Sequence, residues 1–154
     1  MGLSLLLGLL LAAEPPVEKA EPLTTDDFIK AELAKLQGEW ELVSFVEDGK
    51  KRPDADLKGL RRKVEGTGFV LFATMGEKSQ TAKGKYRIDP TKNVMHIDVL
   101  LIDEKGGEAL SKGIYRMDGD AQTACMGQFG GQRPEDFSCE AGSRRILFVW
   151  KRVK

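Results

Sequence analysis

Few side chains in this sequence are of a type and spacing that could carry out chemistry. His96 is the single histidine, which limits multi-imidazole metal sites and Ser-His-Asp or Cys-His arrangements from the start. In an extended segment His96 shares a face with Asp98, while Met95, Ile97 and Val99 take the other. That pair could act as acid, base or ligand at a cavity mouth; a solvated strand face is the expected setting. Asp118 with Asp120, and Glu135 with Asp136, supply carboxylate pairs of the kind that binds calcium. Both lie in turn-forming sequence, where Asp before Gly is accounted for by hairpin geometry. Arg133 precedes Pro134, and a guanidinium held at a rigid turn can fork onto a carboxylate or backbone oxygens, so a structural clasp is expected there. The basic runs Lys50-Lys51-Arg52 and Arg61-Arg62-Lys63 lack the interleaved aromatics of a nucleic-acid platform, and solvated charge is expected for both. The glycines between 127 and 131 precede no helical pattern, so they form no phosphate loop. No acid, base and nucleophile converge. The expectation is a non-catalytic protein with no catalytic residues, metal or cofactor.

Bulk properties agree with that. Lys plus Arg number 24 and Asp plus Glu 24, so no global field steers the chain toward nucleic acid or an anionic membrane. With 154 residues, 41% hydrophobic and 31% charged, the composition suits one globular domain with a sizeable core. Cys125 and Cys139 are the only cysteines. They could close a loop of about 15 residues, worth roughly 3 kcal/mol in the chain-entropy account, or remain two thiols that never meet; spacing alone leaves both open.

The elements that must position these residues begin after a distinct N-terminus. Residues 1–13 are rich in leucine and end in Ala12-Ala13, the outline of a secretory signal peptide. The run is short for a bilayer span of about 20 residues, and no cysteine follows it as a lipid acceptor. An exported protein, periplasmic or extracellular, without a stable membrane anchor is therefore expected. Residues 14–23, rich in Pro and Glu, read as a flexible linker, and residues 24–154 as the folded domain. Thr24 or Thr25 can cap a short helix over about 25–36, with Phe28, Ile29, Leu33 and Leu36 at helical spacing and Gly38 ending it. Beyond it, about eight short apolar-alternating segments are separated by turn residues, including the hairpin signal Asp118-Gly119-Asp120. In the first of these, Trp40, Leu42 and Ser44 alternate with Glu41, Val43 and Phe45. The fold class expected is all-β: an antiparallel meander that closes as a barrel, with a β-sandwich as the alternative.

Four motifs lie in this order: Leu36-Gln37-Gly38-Glu39-Trp40-Glu41-Leu42-Val43, Gly113-Ile114-Tyr115-Arg116-Met117-Asp118-Gly119-Asp120, Arg133-Pro134-Glu135-Asp136-Phe137 and Lys151-Arg152. Together they resemble an uncharacterised bacterial family of small exported lipocalin-like domains, abundant in planctomycetes, over nearly all of residues 36–154. The resemblance implies a lipocalin-like barrel outside the cytoplasm and assigns no catalytic residues. Cys125 falls where such domains often carry a cysteine; Cys139 stands outside the pattern. Two functions fit: a barrel holding a small apolar or amphipathic ligand, or a filled barrel whose loops contact a protein partner. An open apolar cavity of about 300 Å³ or more separates them. Trp40, Tyr115 and Arg133 are expected to form a structural clasp at a closed end, with Trp40 buried and Arg133 beside it.

Overall fold

In the computed structural model, which describes residues 24–154, Thr24 caps the first helix, α1 (Thr25–Leu36). The Thr24 hydroxyl accepts from the Asp27 backbone N–H at 3.2 Å, and the Asp27 carboxylate accepts from the Thr24 N–H at 3.0 Å, a reciprocal capping box. The expected signal segment and linker lie outside the described residues.

Nine strands follow: β1 (Gly38–Glu47), β2 (Lys50–Lys51), β3 (Leu60–Glu65), β4 (Gly68–Met75), β5 (Lys78–Asp89), β6 (Met95–Ile102), β7 (Glu108–Asp118), β8 (Ala121–Phe129) and β9 (Ile146–Arg152). A single-turn helix, α2 (Asp54–Leu57), precedes β3. Each of β3 to β8 pairs antiparallel with the next, and β1 pairs with both β3 and β9. The meander therefore closes into an eight-stranded antiparallel barrel of the lipocalin-like kind, with β2 as a short extra strand on β1. Closure, which leaves no edge in the main barrel, sets aside the sandwich alternative.

Because the strands alternate in direction, the barrel has two unlike ends. The starts of β1, β4, β6 and β8 lie at one end, under α1; the starts of β3, β5, β7 and β9 lie at the other. The core beneath α1 is formed by Leu36, Trp40, Val64, Ile88 and Tyr115, all at most 5% exposed. Phe69 and Tyr86 stack with ring centroids 4.3 Å apart. Gly84 allows this, since a Cβ there would lie 2.2 Å from the Phe69 ring and 2.6 Å from the Leu100 carbonyl.

The first strand departs from strict alternation. Leu42 faces Trp150 but Ser44 faces Val149, a bulge at Val43, and an extra residue in one strand reverses the inward parity beyond it. Phe45, not Ser44, therefore lines the interior, where strict alternation from Trp40 and Leu42 would have placed Ser44.

Candidate functional site

Trp40 is fully buried, and its indole N–H donates to the Leu36 carbonyl at 2.9 Å. The nearer of two cations over its ring is Arg152, 4.3 Å from the centroid; Arg62 lies 5.3 Å away. Arg152 also donates to the Gln37 carbonyl and, at 2.6 Å, to that of Lys35, serving carbonyls that the C-terminus of α1 leaves open. The Gln37 amide adds a tie from the helix end to the Gly66 backbone, donating at 2.9 Å and accepting at 2.7 Å. Tyr115, 1% exposed, brings its hydroxyl within 3.4 Å of Glu32 on α1.

Arg133 corrects the expected clasp. Its guanidinium donates to the Gly113 carbonyl at 2.6 Å and to Asp98 at 2.7 Å, so it clasps the outer face of β6 and β7 instead of Trp40. The reason is register: closure of the barrel makes Arg152 the direct cross-strand partner of Trp40. The 130–145 segment folds back over the outer wall, where Pro134 is buried and Arg116 stacks 4.7 Å over Phe137. Ile114 and Cys125, on outward-facing positions, are consequently 1% and 0% exposed.

Asp98 makes its hydrogen bonds to Arg87 and Arg133 and not to His96. Asp98, 7% exposed, spends one oxygen on Arg133 and the other on Arg87, at 2.6 Å. Burial pushes its carboxyl up, but the hydrogen bonds and charges of Arg87 and Arg133 outweigh that and hold it below the usual value. Burial, reinforced by the Arg133 charge, keeps the His96 imidazole below its ordinary value. In each acidic turn one carboxylate is held by neighbouring groups. Asp120 pairs with Arg152 at 3.3 Å, and Asp136 accepts from the Ser138 backbone at 3.0 Å and from Arg145 at 2.8 Å. Among the described residues, no group of three or more His, Cys, Asp or Glu side chains is placed to hold a metal.

Both cysteines are free thiols. Cys139 faces the Arg145 and Val46 carbonyls at 3.2 and 3.5 Å, Cys125 the Ser138 carbonyl at 3.7 Å. Burial pushes the Cys125 thiol up to about 11, which suppresses the reactive thiolate. Thiol titration of unreduced, denatured protein is expected to count two thiols; a count that rises only after reduction would contradict this arrangement.

The interior of the barrel holds the cavity that separates the two expected functions, and at its base a residue whose burial the sequence does not announce. A cavity of about 900 Å³ extends from the base toward the end away from α1, lined by Leu42, Phe69, Leu71, Ile97, Val99 and Phe148 among others. Exposed Phe72 and Phe129 also contribute to its lining. At its base lies Arg62, 2% exposed, taken from a run expected to be solvated. Arg62 donates to the Tyr86 hydroxyl at 3.0 Å and to the Gln122 carbonyl oxygen at 2.7 Å. Its Cζ sits 4.6 Å from the Trp150 ring centroid and 5.3 Å from that of Trp40. The Arg62 Nε and the Trp150 indole N–H are buried without an acceptor. Burial lowers the affinity of Arg62 for its proton and raises that of Tyr86, but an arginine starts high enough to remain a cation. One signal was available: Leu60, Arg62 and Val64 share a face of β3 at period two, placing the arginine between two apolar residues.

No family model, curated protein or solved structure matches this chain.

Proposed function

We propose that this protein is a non-catalytic binding module that holds a small apolar or amphipathic molecule inside its barrel. The cavity of about 900 Å³ carries the reading, since ligand pockets commonly enclose roughly 300–1,000 Å³ with mostly apolar walls. A space of that size weighs against the alternative of a barrel filled by its own side chains that acts through its loops. The leucine-rich residues 1–13 support export, and the resemblance of the four motifs to exported lipocalin-like domains agrees with a role outside the cytoplasm.

Titration with the neutral apolar dye N-phenylnaphthylamine is expected to give a saturable fluorescence rise at one dye per chain. Ala124, 1% exposed and in the cavity wall, provides the control: Ala124→Phe narrows the space and is expected to abolish the rise in a protein that still folds. Native mass spectrometry of protein purified from its own host reports any retained ligand directly. Absence of dye binding together with absence of added mass would overturn the reading.

A further inference from the structure

Resting on the reading of the cavity as a ligand site, we propose that its ligand is an amphipathic monoanion, an apolar chain ending in a carboxylate, whose head is held by Arg62. Three observations converge on this. First, Arg62 is a 2% exposed cation, and both its hydrogen-bond partners, Tyr86 and Gln122, are neutral. No carboxylate pairs with it among the described residues; the acidic groups lining the cavity, Glu47 and Asp48, belong to the end of β1 and the turn after it. A buried charge without a counter-charge costs several kcal/mol, and an anion in the cavity would offset that cost.

Second, the surroundings of Arg62 hold spare donors and no spare anion. Its own Nε and the Trp150 indole N–H lack acceptors. The Tyr86 hydroxyl, having accepted from Arg62, retains its proton to donate, and the Gln122 amide retains its N–H groups after accepting through its oxygen. A carboxylate, which accepts through two oxygens in one plane, matches a planar guanidinium fork flanked by such donors. One arginine neutralises one charge, so a dianionic phosphate monoester would remain half uncompensated.

Third, the walls above the base include Leu42, Leu71, Ile97, Val99, Leu101 and Phe148, which suit an alkyl or similarly apolar chain; the charged lining residues Glu47, Asp48, Arg61 and Arg144 lie near the strand ends away from α1. Arg61 and Arg144 at the mouth are exposed and solvated, whereas Arg62 at the base is buried, so a carboxylate gains more at the base and the ligand lies with its head inward.

The test compares dodecanoate, dodecanol and dodecylammonium, below their micelle concentrations, by calorimetry and tryptophan fluorescence. Wild-type protein is expected to bind dodecanoate at least about tenfold more tightly than dodecanol, the scale of a charge-assisted hydrogen bond, and dodecylammonium the least. Arg62→Gln is expected to bring the carboxylate and the alcohol to parity, while Tyr86→Phe, which keeps the cation, retains most of the preference. Equal binding of dodecanoate and dodecanol by wild-type protein would overturn the anchor and leave the cavity reading standing, and this comparison does not depend on any variant folding. A preference that survives Arg62→Gln would also overturn the anchor. If none of the three amphiphiles binds and the neutral dye also fails, the cavity reading itself falls.

Discussion

Replacing Trp40 by alanine is expected to cost about 3–5 kcal/mol of folding stability, the range for deleting a large buried aromatic side chain. Trp40 is fully buried, so its ring has no solvent-facing part whose loss would be neutral. Three attachments go with it: the hydrogen bond to Leu36, the contact with Arg152 and the contact with Arg62. The cavity left would lie where β1, β9 and α1 meet, and the closed register of β1 on β9 restricts collapse around it. Urea denaturation, monitored by far-ultraviolet circular dichroism, measures the effect. Because Trp40 does not line the ligand cavity, the affinity of folded protein for the neutral dye should change little. A stability loss under about 1 kcal/mol, or dye binding abolished with the melting temperature unchanged, would refute the role of Trp40 as the plug of the closed end.

Asp98→Asn should be the next most damaging change, at about 2–3 kcal/mol near neutral pH. The substitution preserves shape but leaves Arg87 and Arg133 facing a neutral amide, and it loosens the 130–145 segment that Arg133 holds to the wall. The pH dependence distinguishes this from a packing defect. The folded-state pKa of Asp98 lies below its unfolded value, so its contribution is fully present above the unfolded value of about 4 and is lost as pH falls through the folded one. The stability difference between wild type and Asp98→Asn should therefore be constant from about pH 5 to 8 and shrink on further acidification. A difference that stays constant to the acid limit would show that the Asp98 charge is not what stabilises this wall. The three other aspartates with lowered values, Asp27, Asp89 and Asp136, are common to both proteins and drop out of the comparison.

The sequence alone determined the local features. The capping residues and apolar spacing of residues 25–36 specify α1, because a helix is decided by neighbours three and four positions apart. The alternating segments and their turns specify an antiparallel meander, and the Asp118-Gly119-Asp120 hairpin joins β7 to β8 as its turn chemistry requires. The burial of Trp40 and Tyr115 was legible for the same reason. What only the tertiary structure decided is non-local. The partner of Trp40 is Arg152 and not Arg133, since the closing pairing of the last strand on the first brings the two together. Asp98 and Cys125 occupy outward positions that a period-two pattern assigns to water, yet a distant segment folds over them, and no local periodicity encodes where a loop will lie. Arg62 lies between these cases: alternation in β3 places it on the inner face, but the two charged neighbours beside it conceal that position in a basic run. Its burial required a closed barrel with aromatic rings and two neutral oxygens from other strands converging on one guanidinium, an environment assembled only when the first and last strands meet.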